Sequence, residues 1–192
     1  MLSVADNQLR MIILAGGEGS RLGGTDKANL IRNGQSLLTY WRDMAQALGL
    51  PVSISRKKVE QADEFADDPG LIIDAGPIGG LAAACHNFTE TWLLTVPVDT
   101  VQLPPDLLAR FLELPLESLD SVVVRDAAGP QPLLAFWRRT ALLDSIERSI
   151  GKREFAIRRL HGTRCQELVF EHFECGNLNT PADLQRFSTI IP

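Results

Sequence analysis

Short apolar runs and segments of helical period alternate along the first two-thirds of the chain. RMIILA (10–15), PVSIS (51–55), LII (71–73) and WLLTV (92–96) predict strands buried on both faces, as in a parallel sheet. Between the first two, Leu37, Tyr40, Trp41, Met44, Ala47 and Leu48 recur every three or four positions, the apolar stripe of a helix over 36–49. Ser36 stands where an N-cap belongs, Gly49 where the helix should stop, and Pro51 lies just beyond. Residues 78–88 predict a second helix. PPDLLARFLEL (104–114) predicts a third, entered through prolines whose missing N–H costs a first turn nothing. This alternation implies an open α/β sheet with right-handed crossovers.

The back half is less regular. SVVVRD (121–126) and PLLAFW (132–137) predict a hairpin across Ala127–Pro130, residues 138–149 a helix, and 163–173 a strand. NTPADLQRF predicts a short helix with Pro181 in its first turn and Asn179 or Thr180 as its cap. No linker-like stretch or internal repeat interrupts the 192 residues, so a single domain over 1–192 is expected.

Composition narrows the function classes. With 45% hydrophobic and 22% charged residues the chain reads as a soluble globular protein. A net charge of −5 argues against a broad nucleic-acid or anionic-membrane footprint. A small anionic ligand remains open, because a few local cations and backbone N–H groups can hold phosphate. No apolar run approaches the roughly 18 residues of a membrane span. MLSVADNQLR lacks the basic start and apolar stretch of a signal peptide, and three cysteines without a C-x-x-C predict reduced thiols in the cytoplasm. His161, Cys165, His172 and Cys175 match no common zinc spacing. The basic run KREFAIRRL (152–160) reads first as a solvated helix face, with the phosphate or heterocycle of a second substrate as the alternative.

The chemistry concentrates at strand ends. The first strand runs into ILAGGEGSRLGGTDK (13–27), which fits neither a Walker loop, since Thr25 replaces the lysine, nor G-x-G-x-x-G, since Leu22 replaces the last glycine. The third strand runs into Asp74-Ala75-Gly76-Pro77 and the fourth into Pro97-Val98-Asp99-Thr100. Ligands of open α/β sheets bind beyond these carboxyl ends. Gly16, Gly17 and Gly19 would let backbone N–H groups approach a phosphate or a base, and Arg21 and Lys27 would offset polyphosphate charge. Asp99 would hold Mg²⁺, and Asp74 a sugar hydroxyl or the same metal. Either aspartate could instead order its own turn. Together these groups describe nucleotidyl transfer, in which alignment and charge stabilisation supply most of the catalysis.

LAGGEGSRLGGTDKANL (14–30) resembles the signature loop of the molybdenum cofactor guanylyltransferases, and the likeness continues in order through DAGPIGGLAAA, LLTVPVDT and NLNTPADL. The resemblance implies a three-layer α/β/α Rossmann-like nucleotidyltransferase fold with a mostly parallel sheet. It also implies transfer of GMP from GTP to the terminal phosphate of molybdenum-bound molybdopterin, with Mg²⁺ and release of pyrophosphate. Carried over by position, Leu14, Ala15, Gly16, Gly17, Lys27, Ser53, Asp74 and Asp99 would bind the nucleotide. Arg21, Lys27 and Asp99 would be catalytic, Asp99 would bind the metal, and Asn177 and Asn179 would face the pterin. Ser53 stands where relatives often carry asparagine, Val101 where proline is frequent, and Gln131 where histidine is common. L-A-G-G rather than L-A-A-G is similar to the guanine-specific group. A CTP-dependent or sugar-phosphate relative, or a non-catalytic nucleotide-binding accessory protein, are the alternatives. Partners expected by analogy are the two substrates and transient contacts with other cofactor-synthesis proteins or molybdoenzyme chaperones; no nucleic acid, no membrane and a monomeric state are expected.

Overall fold

A computed structural model describes residues 8–16, 26–66 and 76–190, with the side chains of 189 and 190 excepted. The predicted strand at 71–73, and Gly17, Gly19, Arg21 and Asp74, lie outside the described residues. Among the described residues seven strands form the main sheet: β1 (Leu9–Leu14), β4 (Val52–Arg56), β5 (Glu64–Ala66), β6 (Trp92–Pro97), β7 (Ser121–Asp126), β8 (Gly129–Arg138) and β9 (Cys165–Val169). Their order is β5-β4-β1-β6-β8-β7-β9. β8 runs against both its neighbours and every other pairing is parallel, so the sheet is mostly parallel as anticipated.

The strand sequences explain the layering. Along β1, Met11 and Ile13 pack into one core and Ile12 into the other, and all three are fully buried. β6 divides in the same way, Trp92, Leu94 and Val96 against Leu93. The first core is covered by α1 (Leu37–Ala47) and α3 (Leu107–Leu112), the second by α2 (Pro77–Asn87) and α4 (Arg139–Lys152). The result is three layers. Each large side chain buried this way, Trp41 or Ile54 for example, contributes about 1.5–3 kcal/mol of transfer free energy.

The caps read from the sequence are in place. Ser36 Oγ accepts from Thr39 N at 3.1 Å, and Gly49 turns the chain at φ +68°. Thr180 caps α5 (Pro181–Arg186) in a reciprocal box with Asp183. Several boundaries differ from expectation, β8 among them, which begins at Gly129 inside the expected turn. The 104–114 helix begins only at Leu107, because Asp106 adopts φ +56° ahead of it. The 163–173 strand shortens to β9. The basic run is not one helix face: α4 stops at Lys152 with Arg153 at φ +55°, and a 3₁₀ turn follows at Ile157–Arg159. A small sheet went unread, pairing β2 (Ile31–Arg32) with β3 (Gln35–Ser36) and β10 (Thr189–Ile190).

Candidate active site

β1 and β6 lie side by side in parallel, Leu14 opposite Pro97, so both deliver their ends to the same edge. Beyond β6 the chain turns sharply, Thr100 N donating to Pro97 O at 3.0 Å, which puts Asp99 at the tip. Lys27 reaches it from a 3₁₀ turn over Lys27–Asn29. Asp26 starts that turn by accepting from Ala28 N at 3.0 Å, while its other oxygen accepts from Arg56 at 2.6 Å. Arg56 in turn lies 3.4 Å from Glu64, a fully buried carboxylate whose second oxygen takes the N–H groups of Glu60 and Gln61. A chain of charges thus fixes where Lys27 starts from. Its Nζ donates to Asp99 Oδ2 at 2.6 Å and to Asn179 Oδ1 at 2.7 Å.

Asn179 is brought there by backbone pins, not by nearness in sequence. Thr100 bridges Asn177, and Leu178 N donates to Asp99 O at 2.9 Å. Gly176 precedes this segment at φ +67°, and a Cβ there would stand 2.7 Å from the Phe187 ring, so glycine is favoured on two counts. Thr180 is the helix cap, which leaves the Asn179 side chain to the lysine.

Two cavities meet at this junction. One, of about 220 Å³, is lined by Leu14, Gly16, Lys27, Ser55, Gly80 and Asp99 among others. The second, of about 330 Å³, has Asp99, Gln131, Ile157, Asn177 and Asn179 in its wall. Pro97, Asp99 and Leu133 line both. The wall at Leu133 comes from a break in the β7–β8 ladder. Val123 pairs with Ala135 but Val124 with Gln131, which leaves 132–134 bulged out. Pro132 has no N–H to give a ladder, and the freed carbonyls find other donors. Thr95 Oγ1 donates to Leu133 O at 2.6 Å, and His161 Nε2 lies 3.0 Å from Pro132 O.

Of the residues expected at a site, the structure brings together Leu14, Gly16, Lys27, Asp99, Asn177 and Asn179. It does not bring Ser53. That side chain is buried mid-strand, its Oγ accepting from Arg10 at 3.0 Å, and Ser55, on the same face and nearer the strand's end, lines the first cavity instead. Ala15 also turns away: its methyl belongs to the core and its N–H donates to Ser55 O at 3.0 Å. Sequence reading missed Ser55, Gly80 and Leu133, although the two-residue period from Ser53 pointed at Ser55. The His161–Cys175 group does not assemble. His161 stacks on Trp137 at 4.1 Å, Cys175 is buried with its thiol pushed up to about 12 by burial, and no metal cluster of three or more His, Cys, Asp or Glu exists among the described residues. Among the described residues no helix is long and apolar enough to cross a membrane.

An ammonium and a carboxylate held at the carboxyl edge of a mostly parallel sheet, in one cavity with Gly16, lie where open α/β proteins bind their ligands. The MobA-like NTP transferase domain matches residues 11–167, and the chain belongs to that family of nucleotidyltransferases. Molybdenum cofactor guanylyltransferases are its full-length relatives. That of Shewanella frigidimarina is 30% identical, the match covering 96% of this chain and 97% of that protein. That of Vibrio atlanticus is 29% identical over 95% and 97%. In fold the chain is similar to the molybdopterin-guanine dinucleotide biosynthesis protein A of Archaeoglobus fulgidus, with a TM-score of 0.73 at 22% identity, covering 92% of this chain and 95% of that one. Rv0371c of Mycobacterium tuberculosis, crystallised in complex with manganese, gives 0.64 at 16% identity over 94% and 97%.

Proposed function

We propose that this chain transfers GMP from GTP to the terminal phosphate of molybdenum-bound molybdopterin, yielding the guanine dinucleotide cofactor and pyrophosphate. One observation carries the reading: Lys27 bridges Asp99 and Asn179 where two cavities share a wall. Displacement at phosphorus needs its nucleophile and its leaving group on opposite sides of the reacting atom. Two chambers with a common charged partition supply such an arrangement.

In this reading GTP occupies the first cavity. The absent methyl at Gly16 lets the backbone come close to the nucleotide, and the apolar walls exclude water. An ammonium has three N–H donors. Lys27 gives two to Asp99 and Asn179, which leaves the third for a phosphate oxygen and pre-aims the charge before substrate arrives. The acceptor phosphate, in the second cavity beside Asn177 and Asn179, is already anionic near neutral pH and needs no strong base. The walls agree, for Asp99 is the one carboxylate and no histidine lines either cavity among the described residues. Asp99 fits a divalent ion through one oxygen: Lys27 takes Oδ2, and Oδ1 beside phosphate oxygens would be a hard oxygen donor of the kind Mg²⁺ prefers. When bound there, Mg²⁺ would supply Lewis-acid stabilisation of charge on the phosphates. Arg21, Gly17 and Asp74 belong to the same proposal by their place in the motifs.

The test is pyrophosphate release by purified protein offered molybdenum-molybdopterin, Mg²⁺ and each nucleoside triphosphate in turn. Release with GTP alone is expected. Release with CTP but not GTP would overturn the base assignment, and GTP binding without turnover would reduce the protein to a nucleotide binder.

A further inference from the structure

Beneath the second cavity runs a line of hydrogen bonds that phosphoryl chemistry does not require. Asp126 closes β7 and is 4% exposed. Its carboxylate accepts from Cys175 N at 2.8 Å, Ala128 N at 2.9 Å and Gln131 Nε2 at 3.1 Å. Burial pushes this carboxyl up, but those donors outweigh it and hold it below its ordinary value. Asp126 is therefore an ion near neutrality and can only accept.

That fixes the glutamine. A carboxamide has one donating and one accepting end, and only its NH₂ can face a carboxylate. Gln131 Oε1 must therefore point the other way, where Asn177 Nδ2 lies 3.4 Å off, and both residues line the second cavity. The cavity wall then offers an acceptor, Gln131 Oε1, beside a donor, the amide N–H of Asn177 not aimed at it. Pro132, Leu134 and Ile157 supply apolar surface around them. A flat heterocycle with a ring N–H next to a carbonyl or ring nitrogen complements that pair.

Building on the acceptor-side reading above, we infer that Gln131 is a specificity-determining residue of the acceptor cavity, its carboxamide oxygen accepting a hydrogen bond from the heterocycle of the acceptor. Asp126 is its positioning residue. The geometry of β8 makes this possible, because the bulge that follows Gln131 releases the strand from β7 just where the cavity begins.

Gln131→Met keeps the length and removes both polar ends. It is expected to raise the KM for molybdenum-molybdopterin roughly tenfold, the effect of one lost hydrogen bond, with a smaller change in kcat and an unchanged Kd for GTP by calorimetry. Asp126→Asn frees the amide to rotate and should raise the same KM by less. Combined with Gln131→Met it should add little, since both changes act on one contact. Thermal melts establish that each variant folds; Gln131 is half-buried, so its substitution decides the matter if Asp126→Asn unfolds. An unchanged acceptor KM in folded Gln131→Met overturns the inference alone. Wild-type protein that binds GTP without consuming it in the presence of the pterin overturns the acceptor reading and the inference with it.

Discussion

The two cavities that meet at Asp99 are built by different means. The first is made of strand ends and backbone: Leu14, Gly16, Val98, Gly76 and Gly80 surround it, and its polar side chains are few. The second is made of side chains, Gln131, Asn177 and Asn179, each held by a partner across the fold, Gln131 with Asn177 and Asn179 with Lys27. A triphosphate is the same object in every nucleotide, so a backbone cradle set by sheet topology suffices for it. An acceptor has to be told from others, and that takes donors and acceptors fixed in orientation. In the proposed reading the triphosphate is held by the parallel half, and the acceptor is recognised where the sheet is broken.

Substitutions can separate the two sides. Asp99→Ala removes the shared partition, so it should lower turnover about 10²–10³-fold whichever substrate is raised, the scale set by losing one preorganised electrostatic group. Steady-state rates at saturating GTP and acceptor measure it, and near-normal rates would mean that the chambers do not cooperate. Gly176→Ala strikes only the side-chain half. A methyl driven into the Phe187 ring at positive φ should cost about 1–3 kcal/mol and lower Tm by several degrees, on the order of 2–4 °C per kcal/mol. The same variant should raise acceptor KM while leaving GTP affinity alone. Arg56→Gln acts first on the other half: it unties Asp26, and with it the turn carrying Lys27, whose bond to Asn179 passes only a smaller effect across. Because Asp26 is more than a third exposed and the buried Glu64 keeps Arg42 at 3.7 Å, the expected loss is small, about fivefold in GTP affinity by calorimetry. A matching rise in acceptor KM would erase the distinction between the two sides.

The smallest effect concerns pH. Burial holds the His161 pKa below its ordinary 6.5, although the Pro132 carbonyl pulls the other way. The native state therefore prefers neutral imidazole, while the unfolded chain takes up a proton as pH falls through about 6.5. Stability from this group is complete above that point and is lost progressively below it. Melting curves between about pH 8 and pH 5 should show Tm falling on the acid side, more shallowly in His161→Gln. Since His161 holds Pro132, the bulge and acceptor KM should respond before GTP affinity does.

How much of this could be read from the chain differs between the two halves as well. Parallel strands and their helices announce themselves through local pattern, and Ser36, Gly49 and Pro181 mark ends because capping chemistry is local. Asp99 was legible as a candidate because it follows a strand whose end the topology fixes, and Lys27 by its place in the loop motif after β1. Ser53 was chosen over Ser55 because alignment of letters does not say how far a strand must run before its side chains clear the sheet. Gln131 was visible only as a departure from relatives. Its importance depends on Asp126, five positions earlier, being sealed by the backbone of Cys175, a contact no window of sequence contains. The two-residue strands β2, β3 and β10 are too short to show any period.

The account is tested most directly by a structure of this protein with GTP and Mg²⁺ bound. The triphosphate should lie in the first cavity within hydrogen-bond reach of Lys27 Nζ, with the metal on Asp99 and the α-phosphorus facing the chamber of Gln131, Asn177 and Asn179. A triphosphate seated elsewhere, with the Lys27–Asp99 pair undisturbed, would contradict it.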